Sequence, residues 1–554
     1  MTLFGTAGIR GPVADRLTPE LAMAVGRAVG RPDRVVYVGR DGRVTGPVIA
    51  DAVSAGLASA GASVRRVGMV PTPTLAHAAR EAHGIMVTAS HNPPADNGLK
   101  LFRNGAEYHR RDEAEIARRV HRLSESDEFG SGADEPAATD SPDGAASNEA
   151  PSAPVDPKRP GVAWGPPPAE WDRWGDRRRV DVLEGYREAV VAYARSWAGT
   201  DAPAVAGAPE ADPAGQPGET GPGDDPSEPL DGLSIVVDCG CGVGALAIPQ
   251  VLEALGATTT ALNAAIDGHF PARPSKPTPE TLAETAAFVR EGPAKLGFGI
   301  DGDADRLVVL DGDGEVVHED TVLAIVAGAA VERSRARDPV VLTTPNASGR
   351  IDERVAAAGG RVERVRLGAL HEGLERVRDG HGASASGEAN DVGGANDTGE
   401  PNDTVEPNDT GEGSPTVVFA AEPWKHCHPD FGDWIDAVAG VAVVATLVAA
   451  GGLAPLREPI TEWPYRKESR PCPDVRKRPA MARIEDRLPT ELEGTLGESD
   501  TGVRLERPDG SWTLVRPSGT EPYIRIYAEG PAIEDLLDRV RAVVDEAIQA
   551  VESG

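Results

Sequence analysis

Lysine is scarce in this chain. Seven stand among 554 residues (Lys100, Lys158, Lys276, Lys295, Lys425, Lys467 and Lys477), against 88 acidic residues and a net charge of -32. A surface so rich in carboxylate repels nucleic acid and anionic membrane, which excludes both as general partners. The same surface stays hydrated in concentrated salt, where screening removes its self-repulsion, so a halophilic, salt-adapted cytoplasm is expected. Aromatic residues make up only 4%, so the cores must be built mainly from Ala, Val and Leu. Cysteine is also rare: Cys239, Cys241, Cys427 and Cys472 show no disulfide-framework spacing, which fits a reducing compartment. The N-terminus has neither a basic segment nor an apolar run of the kind that directs secretion, and a cytoplasmic location is expected. One stretch, 437–456, lacks charge, but Gly440, Gly451, Gly452 and Pro455 interrupt it, and it reads as a buried helix rather than a membrane span.

What is present is a repeated alternation of strand and helix. Residues 34–39, 63–67, 84–88, 234–238, 340–344 and 417–420 read as strands, and 48–60, 71–82 and 245–255 as helices. That alternation predicts parallel α/β sheets. The last hundred residues differ, with strands at 503–506, 512–515 and 524–527 and a helix at 532–551, an α+β pattern. Three stretches, near 125–168, 200–229 and 380–414, combine low hydrophobicity with charge and read as solvated acidic insertions. A length of about 150 residues per domain implies three or four domains.

Four loops carry chemistry. Thr88-Ala89-Ser90-His91-Asn92-Pro93, continued by Asn97-Gly98-Leu99-Lys100, follows a strand, where open α/β sheets gather their active sites. A serine hydroxyl needs help to act as a nucleophile, and His91 and Lys100 are the nearby candidates. Asp301-Gly302-Asp303-Ala304-Asp305-Arg306 sets three carboxylates at alternate positions, a hard-oxygen set suited to Mg²⁺, with Arg306 able to hold phosphate beside it. A calcium loop would want Gly where Arg306 stands and Glu where Gly312 stands. Arg516-Pro517-Ser518-Gly519-Thr520-Glu521-Pro522, with Arg525 beyond, offers hydroxyls, accessible backbone N–H groups and two guanidiniums, the makings of a phosphate cradle. Phe4-Gly5-Thr6-Ala7-Gly8-Ile9-Arg10-Gly11 permits close backbone approach and supplies a fixed cation in Arg10.

In this order the four loops resemble the α-D-phosphohexomutase family, which includes phosphoglucomutase, phosphomannomutase and phosphoglucosamine mutase. The resemblance implies four domains around a deep cleft, three related α/β domains with mixed or parallel sheets and a C-terminal α+β domain. They would fall at 1–124, 169–315, 316–452 and 455–554. It implies an Mg²⁺-dependent isomerase that moves a phosphoryl group between C1 and C6 of a hexose phosphate, with a sugar 1,6-bisphosphate as activator and no partner beyond the phosphosugar. Ser90 would carry the phosphoryl group and, with Asp301, Asp303 and Asp305, hold the metal. Arg306 would contact the phosphoserine, and Arg10 and Lys100 would serve as acid/base or charge-stabilising groups. Arg516, Ser518, Gly519, Thr520 and Arg525 would clamp the nonreacting phosphate.

One loop departs from the family pattern. Where a Gly-Glu-x-Ser-Gly-His-like sugar-binding segment is usual, the chain reads Ala421-Glu422-Pro423-Trp424-Lys425-His426. Glu422 and His426 keep register, and Trp424 and Lys425 replace small residues, which leaves phosphoglucosamine mutase and phosphopentomutase activities open beside the hexose reading. Rivals of other classes are a non-catalytic sugar-phosphate sensor and a methyltransferase using Cys239-Gly240-Cys241-Gly242-Val243-Gly244 as an S-adenosylmethionine loop. The second would want an acid after the next strand, where Asn263 stands. A zinc site from His426, Cys427, His428 and Cys472 fits no standard spacing.

Overall fold

The structure is a computed structural model, and it describes residues 3–5, 8–121, 166–198, 228–379, 414–497, 502–519 and 521–552. Most of the three acidic insertions, and Thr520, lie outside the described residues.

The first sheet contains β1 (Ile9–Pro12), β2 (Val35–Arg40), β3 (Ser63–Met69), β4 (His83–Val87), β5 (Asp96–Arg103), β6 (Ala106–Glu107) and β7 (Arg177–Arg179), in the order β1-β5-β4-β2-β3-β7 with β6 beside β5. The second contains β8 (Ser234–Asp238), β9 (Thr258–Leu262), β10 (Leu296–Ile300) and β11 (Leu307–Asp311), in the order β11-β10-β8-β9. In the third, β12 (Pro339–Thr343) lies between β13 (Arg361–Arg364) and β14 (Thr416–Glu422), all parallel. β15 (Lys425–Cys427) follows β14 in the chain. The fourth is an antiparallel sheet of β16 (Tyr465–Pro471), β17 (Thr495–Gly497), β18 (Val503–Glu506), β19 (Trp512–Pro517) and β20 (Tyr523–Glu529), in the order β16-β20-β19-β18-β17.

The first two sheets are mixed, as expected, with parallel pairs that reach the edge strands β7 and β9. β2, β3 and β4 run parallel, but β5 returns antiparallel to both β4 and β1, and β11 is antiparallel to β10. The cause is local: the chain turns straight back after the Ser90 loop and after the aspartate loop, with no crossover helix between. Residues 97–100, read above as the continuation of a loop, are therefore part of strand β5. Two helices are shorter than their patterns predict. The one expected at 71–82 spans Thr72–Ala78, and the one at 245–255 begins as a 3₁₀ turn, Val243–Leu246, before the helix Ile248–Ala254.

The described residues divide into two compact units. One comprises the chain up to 319 together with 424–453, and the other comprises 320–423 and 454 onward. The stretch 424–453 joins the first unit through specific bonds. Leu307 N–H donates to the carbonyl of Trp424, Ala437 N–H donates to that of Ala304, and the Tyr186 hydroxyl donates to Asp436 at 2.7 Å. Asp436 also caps the helix Ala437–Gly451 by accepting from Ala439 N–H. That helix is apolar on all sides and buried along most of its length, as a helix without a polar face must be. Among the described residues no helix is long and apolar enough to cross a membrane.

Candidate active site

The Ser90 loop leaves β4 with its serine in the left-handed region, φ 50°. Such a backbone costs about 1–3 kcal/mol in a non-glycine residue and persists only when its surroundings impose it. Here Arg43 imposes it. Its Nη2 donates to the carbonyls of Ser90 (2.7 Å) and Asn92 (2.8 Å), and its Nη1 to those of Pro93 (2.7 Å) and Asp96 (2.9 Å). Its Nε donates to Asp41 (3.1 Å), so all five N–H bonds of a fully buried guanidinium are used. Asp41 in turn accepts from the Thr88 hydroxyl, and Thr88 Oγ1 accepts from Ser90 N–H (2.8 Å). Burial pushes the Asp41 carboxyl up to about 6, against the pull of Arg43 and Thr88.

The result is a Ser90 hydroxyl directed at the aspartate loop. Ser90 Oγ donates to Asp301 Oδ2 at 2.7 Å, lies 3.4 Å from Asp305 Oδ1, and stands 3.2 Å from His91 Nδ1. Asp301, Asp303 and Asp305 are all buried, and one oxygen from each lies within 4.8 Å of the other two. The loop closes on itself, because Asp301 Oδ1 accepts from the N–H groups of Asp305 (3.1 Å) and Arg306 (3.2 Å). Asp303 Oδ2 accepts from Thr72 Oγ1 and Lys100 Nζ, while its Oδ1 is buried with no hydrogen-bond partner. A buried carboxylate oxygen left over within a triplet of hard donors fits a divalent cation such as Mg²⁺. Among the described residues this triplet is the group placed to hold one, and the His426–Cys427–His428 stretch forms no such group.

Lys100 reaches the site from β5 and donates to Asp303 (2.9 Å) and Asp305 (2.6 Å). Burial alone would depress its ammonium, but the two carboxylates outweigh burial and hold it protonated above the usual lysine range. Burial and the neighbouring Asp305 and Asp303 hold the Asp301 carboxyl well above its usual range. Asp305 moves the opposite way: burial would raise it, but Lys100, Lys425 and Arg306 hold it well below. His91 is kept neutral, pushed down to about 2 by burial and by Arg306 and Arg10. Arg306 Nε stands 3.8 Å from Asp305, and Arg10 is half-buried on β1 with an unbonded Nε. The structure thus brings Ser90, His91, Lys100, Arg306 and the three aspartates together.

Several of the residues that build this site carry no recognisable motif. Ser275 accepts from Gly302 N–H (3.0 Å) and donates to the Ser90 carbonyl (3.1 Å), tying the serine loop to the aspartate loop. Thr72 does the same for Asp303, with its N–H on the carbonyl and its hydroxyl on the carboxylate. The glycine-rich turn after β8 is a third support. A Cβ on Gly242 would lie 2.8 Å from Gly302 Cα, and one on Gly240 would lie 2.6 Å from Arg273 Nη2. Arg273 bonds Asp238, whose carboxylate also accepts from Thr285, Asn263 and Gly240 N–H. The turn is therefore filled by protein, and the S-adenosylmethionine reading is withdrawn.

Trp424 packs against Leu282, Val308 and Leu310, with Lys276 Nζ 5.4 Å over its ring. His426 is only 1% exposed and lies against Gly440, and burial pushes its imidazole down to about 3. In the second unit, Glu422 is buried and accepts from Gly368 N–H at 2.5 Å.

The second unit also holds the Arg516–Arg525 loop. Ser518 N–H donates to the Tyr523 carbonyl (2.9 Å), and Ser518 Oγ accepts from Glu521 N–H (3.3 Å), so the turn is closed internally. Lys477, on the helix Asp474–Glu491, grips the turn by donating to the carbonyls of Ser518 and Glu521. Gly519 has open space where a Cβ would stand. Arg516 Nη2 donates to the Tyr527 hydroxyl at 3.0 Å, and Arg525 pairs with Glu521.

Comparison with known proteins bears on the whole chain. Residues 1–127 match the family model described as phosphoglucomutase/phosphomannomutase, alpha/beta/alpha domain I; residues 225–314 match domain II of the same description, and 472–547 its C-terminal domain. A phosphopentomutase of Thermococcus kodakarensis is 32% identical, with 100% of each chain covered. A probable phosphoglucosamine mutase of Methanothermobacter thermautotrophicus is also 32% identical, covering 99% of this chain and 98% of its own. In fold, the chain is similar to a solved phosphoglucomutase/phosphomannomutase family protein of Burkholderia thailandensis, with a TM-score of 0.68 at 21% identity over 100% and 98% of the two chains.

Proposed function

Because the chain belongs to the phosphoglucomutase/phosphomannomutase family, the α-D-phosphohexomutases, we propose that it moves a phosphoryl group between two positions of a phosphosugar through Ser90. The observation that carries this reading is the Ser90 hydroxyl 2.7 Å from Asp301, inside a buried carboxylate triplet bridged by Lys100. Phosphorylated Ser90 gives its phosphoryl group to a sugar hydroxyl, whose proton leaves to a base. The bisphosphorylated sugar reorients, and its other phosphoryl group returns to Ser90 Oγ as the sugar O–P bond breaks, the Ser90 proton being lost and the freed sugar oxygen gaining one. Bound Mg²⁺, held by Asp301, Asp303, Asp305 and the Ser90 group, would supply charge stabilisation at the transferring phosphoryl group. Lys100 and Arg306 stabilise the same charge from fixed positions, which is where phosphoryl transfer gains most. Lys100, protonated at rest, enters as a hydrogen-bond donor, and Arg10 and His91 complete the set of groups assigned to proton handling and charge. Arg516, Ser518, Gly519, Thr520 and Arg525 clamp the nonreacting phosphate, and Glu422 and His426 serve the sugar. The division at about 124, 315 and 452 into four parts, one loop to each, belongs to this proposal, as does a sugar 1,6-bisphosphate activator.

Hexose phosphate is the first substrate class. Pentose phosphate is the second, favoured by Trp424 and Lys425 where small residues are usual and by the full-length similarity to a phosphopentomutase. Lys425 also brings a charge that acts on Asp305. A salt-adapted cytoplasm as the working environment rests on the net charge of -32. The test is a panel of glucose 1-, mannose 1-, glucosamine 1- and ribose 1-phosphate, with Mg²⁺ and bisphosphate activator, at low and high salt. One member is expected to dominate, and chelation with EDTA is expected to abolish its turnover until Mg²⁺ is restored. No turnover of any member would favour a non-catalytic phosphosugar sensor.

A further inference from the structure

The face of the fourth sheet that carries Arg516 and Arg525 holds more positive charge than those two residues. Arg516 and Arg525 stand directly opposite each other on β19 and β20. Like charges facing across adjacent strands destabilise a sheet unless an anion joins them. On the other side of β20, Lys467 of β16 stands opposite Tyr527, two residues along from Arg525 and therefore on the same face. Lys467 Nζ and Arg516 Cζ each lie 5.5 Å from the centre of the Tyr527 ring. Among the described residues Arg525 has Glu521 as partner, but Lys467 and Arg516 have no carboxylate. Two cations thus stand beside one ring with no carboxylate between them. The Tyr527 hydroxyl accepts from Arg516 and so keeps its own proton to give to an anion. Burial would raise that hydroxyl, but Arg516, Lys467 and Arg525 outweigh burial and bring it below the usual phenol range, which makes it a stronger donor.

We propose that Lys467 and Tyr527 are part of the phosphate clamp, so that the nonreacting phosphate is held by the Lys467 ammonium and the Tyr527 O–H as well as by Arg516 and Arg525. This rests on the reading of the Arg516–Arg525 loop as the clamp. Arg516 and Arg525 supply guanidinium forks on one side of the strand pair. Lys467 supplies a point charge on the other, and Tyr527 supplies a neutral donor between them.

Lys467 is exposed, so Lys467→Met keeps the fold, and Tyr527→Phe removes one oxygen from a buried ring. Both are to be assayed with Lys467→Arg and Arg516→Ala on the phosphosugar that the panel selects, with inorganic phosphate as competitive inhibitor, at fixed ionic strength. Lys467→Met is expected to raise KM and the phosphate inhibition constant together by about 5- to 30-fold, the range for losing a charged hydrogen bond partly screened by solvent. Its kcat is expected to stay within about twofold, since uniform binding is what is lost. Lys467→Arg is expected to recover most of the affinity, and Tyr527→Phe to raise both constants with kcat kept. If Arg516→Ala raises KM while Lys467→Met leaves KM and the inhibition constant unchanged, Lys467 is outside the clamp and the inference is overturned. If Arg516→Ala itself leaves both unchanged, the clamp reading falls.

Discussion

At the scale of single residues, the geometry of Ser90 depends on a fully buried residue, Arg43. Ser90 has the backbone angle that a non-glycine residue avoids, and Arg43 holds it there through four carbonyls while neutralising buried Asp41. Lysine cannot replace it, because an ammonium has three donors and no fork. Arg43→Ala leaves Asp41 buried and unpaired, which costs about 3–5 kcal/mol. Arg43→Lys is expected to be milder in a thermal melt and still to lose at least tenfold in kcat, because the loop relaxes away from Asp301. A lysine variant with full kcat would show that the Ser90 geometry is held by something else. Nothing in the sequence singles out Arg43, since the four carbonyls it holds belong to residues 47–53 positions away. Ser275 and Thr72 escape for the same reason, with partners up to 231 positions off. The aspartates and Ser90 were legible because their chemistry is written in consecutive residues.

At the scale of elements, the Val- and Ile-rich strands fall where their patterns predict, and strands built on glycine-rich loops, such as β1 and β5, do not. β8 falls where its pattern predicts, Ser234–Asp238, because a run of Ile and Val flanked by glycine has one reading. Residues 97–100 continue the Ser90 loop in the sequence pattern and belong to β5 in the structure. Gly98 sits in the strand because a Cβ there would lie 2.2 Å from the Thr88 carbonyl oxygen. The helix expected at 245–255 starts late because Pro249 favours the first turn of a helix and the residues before it form a 3₁₀ turn against the aspartate loop. The glycines of that turn look like a cofactor motif and act as spacing. Gly242 has the backbone of Gly302 where a side chain would be. Gly242→Val is therefore expected to displace the aspartate loop. The measurable result is a rise of at least tenfold in the Mg²⁺ concentration needed for half-maximal activity, with the fold kept by circular dichroism. Unchanged Mg²⁺ dependence would remove the turn from the site's support.

At the scale of the whole molecule, three of the seven lysines stand at the candidate sites. Lys100 is buried among the aspartates, Lys477 grips the turn at Ser518, and Lys425 acts on Asp305. Scarcity of lysine was legible as a surface property, and its concentration at the sites was not, because burial depends on strands that pair far apart in sequence. The central claim remains the phosphoryl group on Ser90. The direct test is to load the enzyme from a labelled sugar bisphosphate with Mg²⁺, map the label by peptide mass spectrometry, and chase with phosphosugar on the turnover timescale. The account predicts label on the peptide containing Ser90, released to the sugar at least as fast as kcat, and none in Ser90→Ala together with loss of nearly all turnover. Label on another residue, or a Ser90→Ala enzyme that turns over normally, would contradict it.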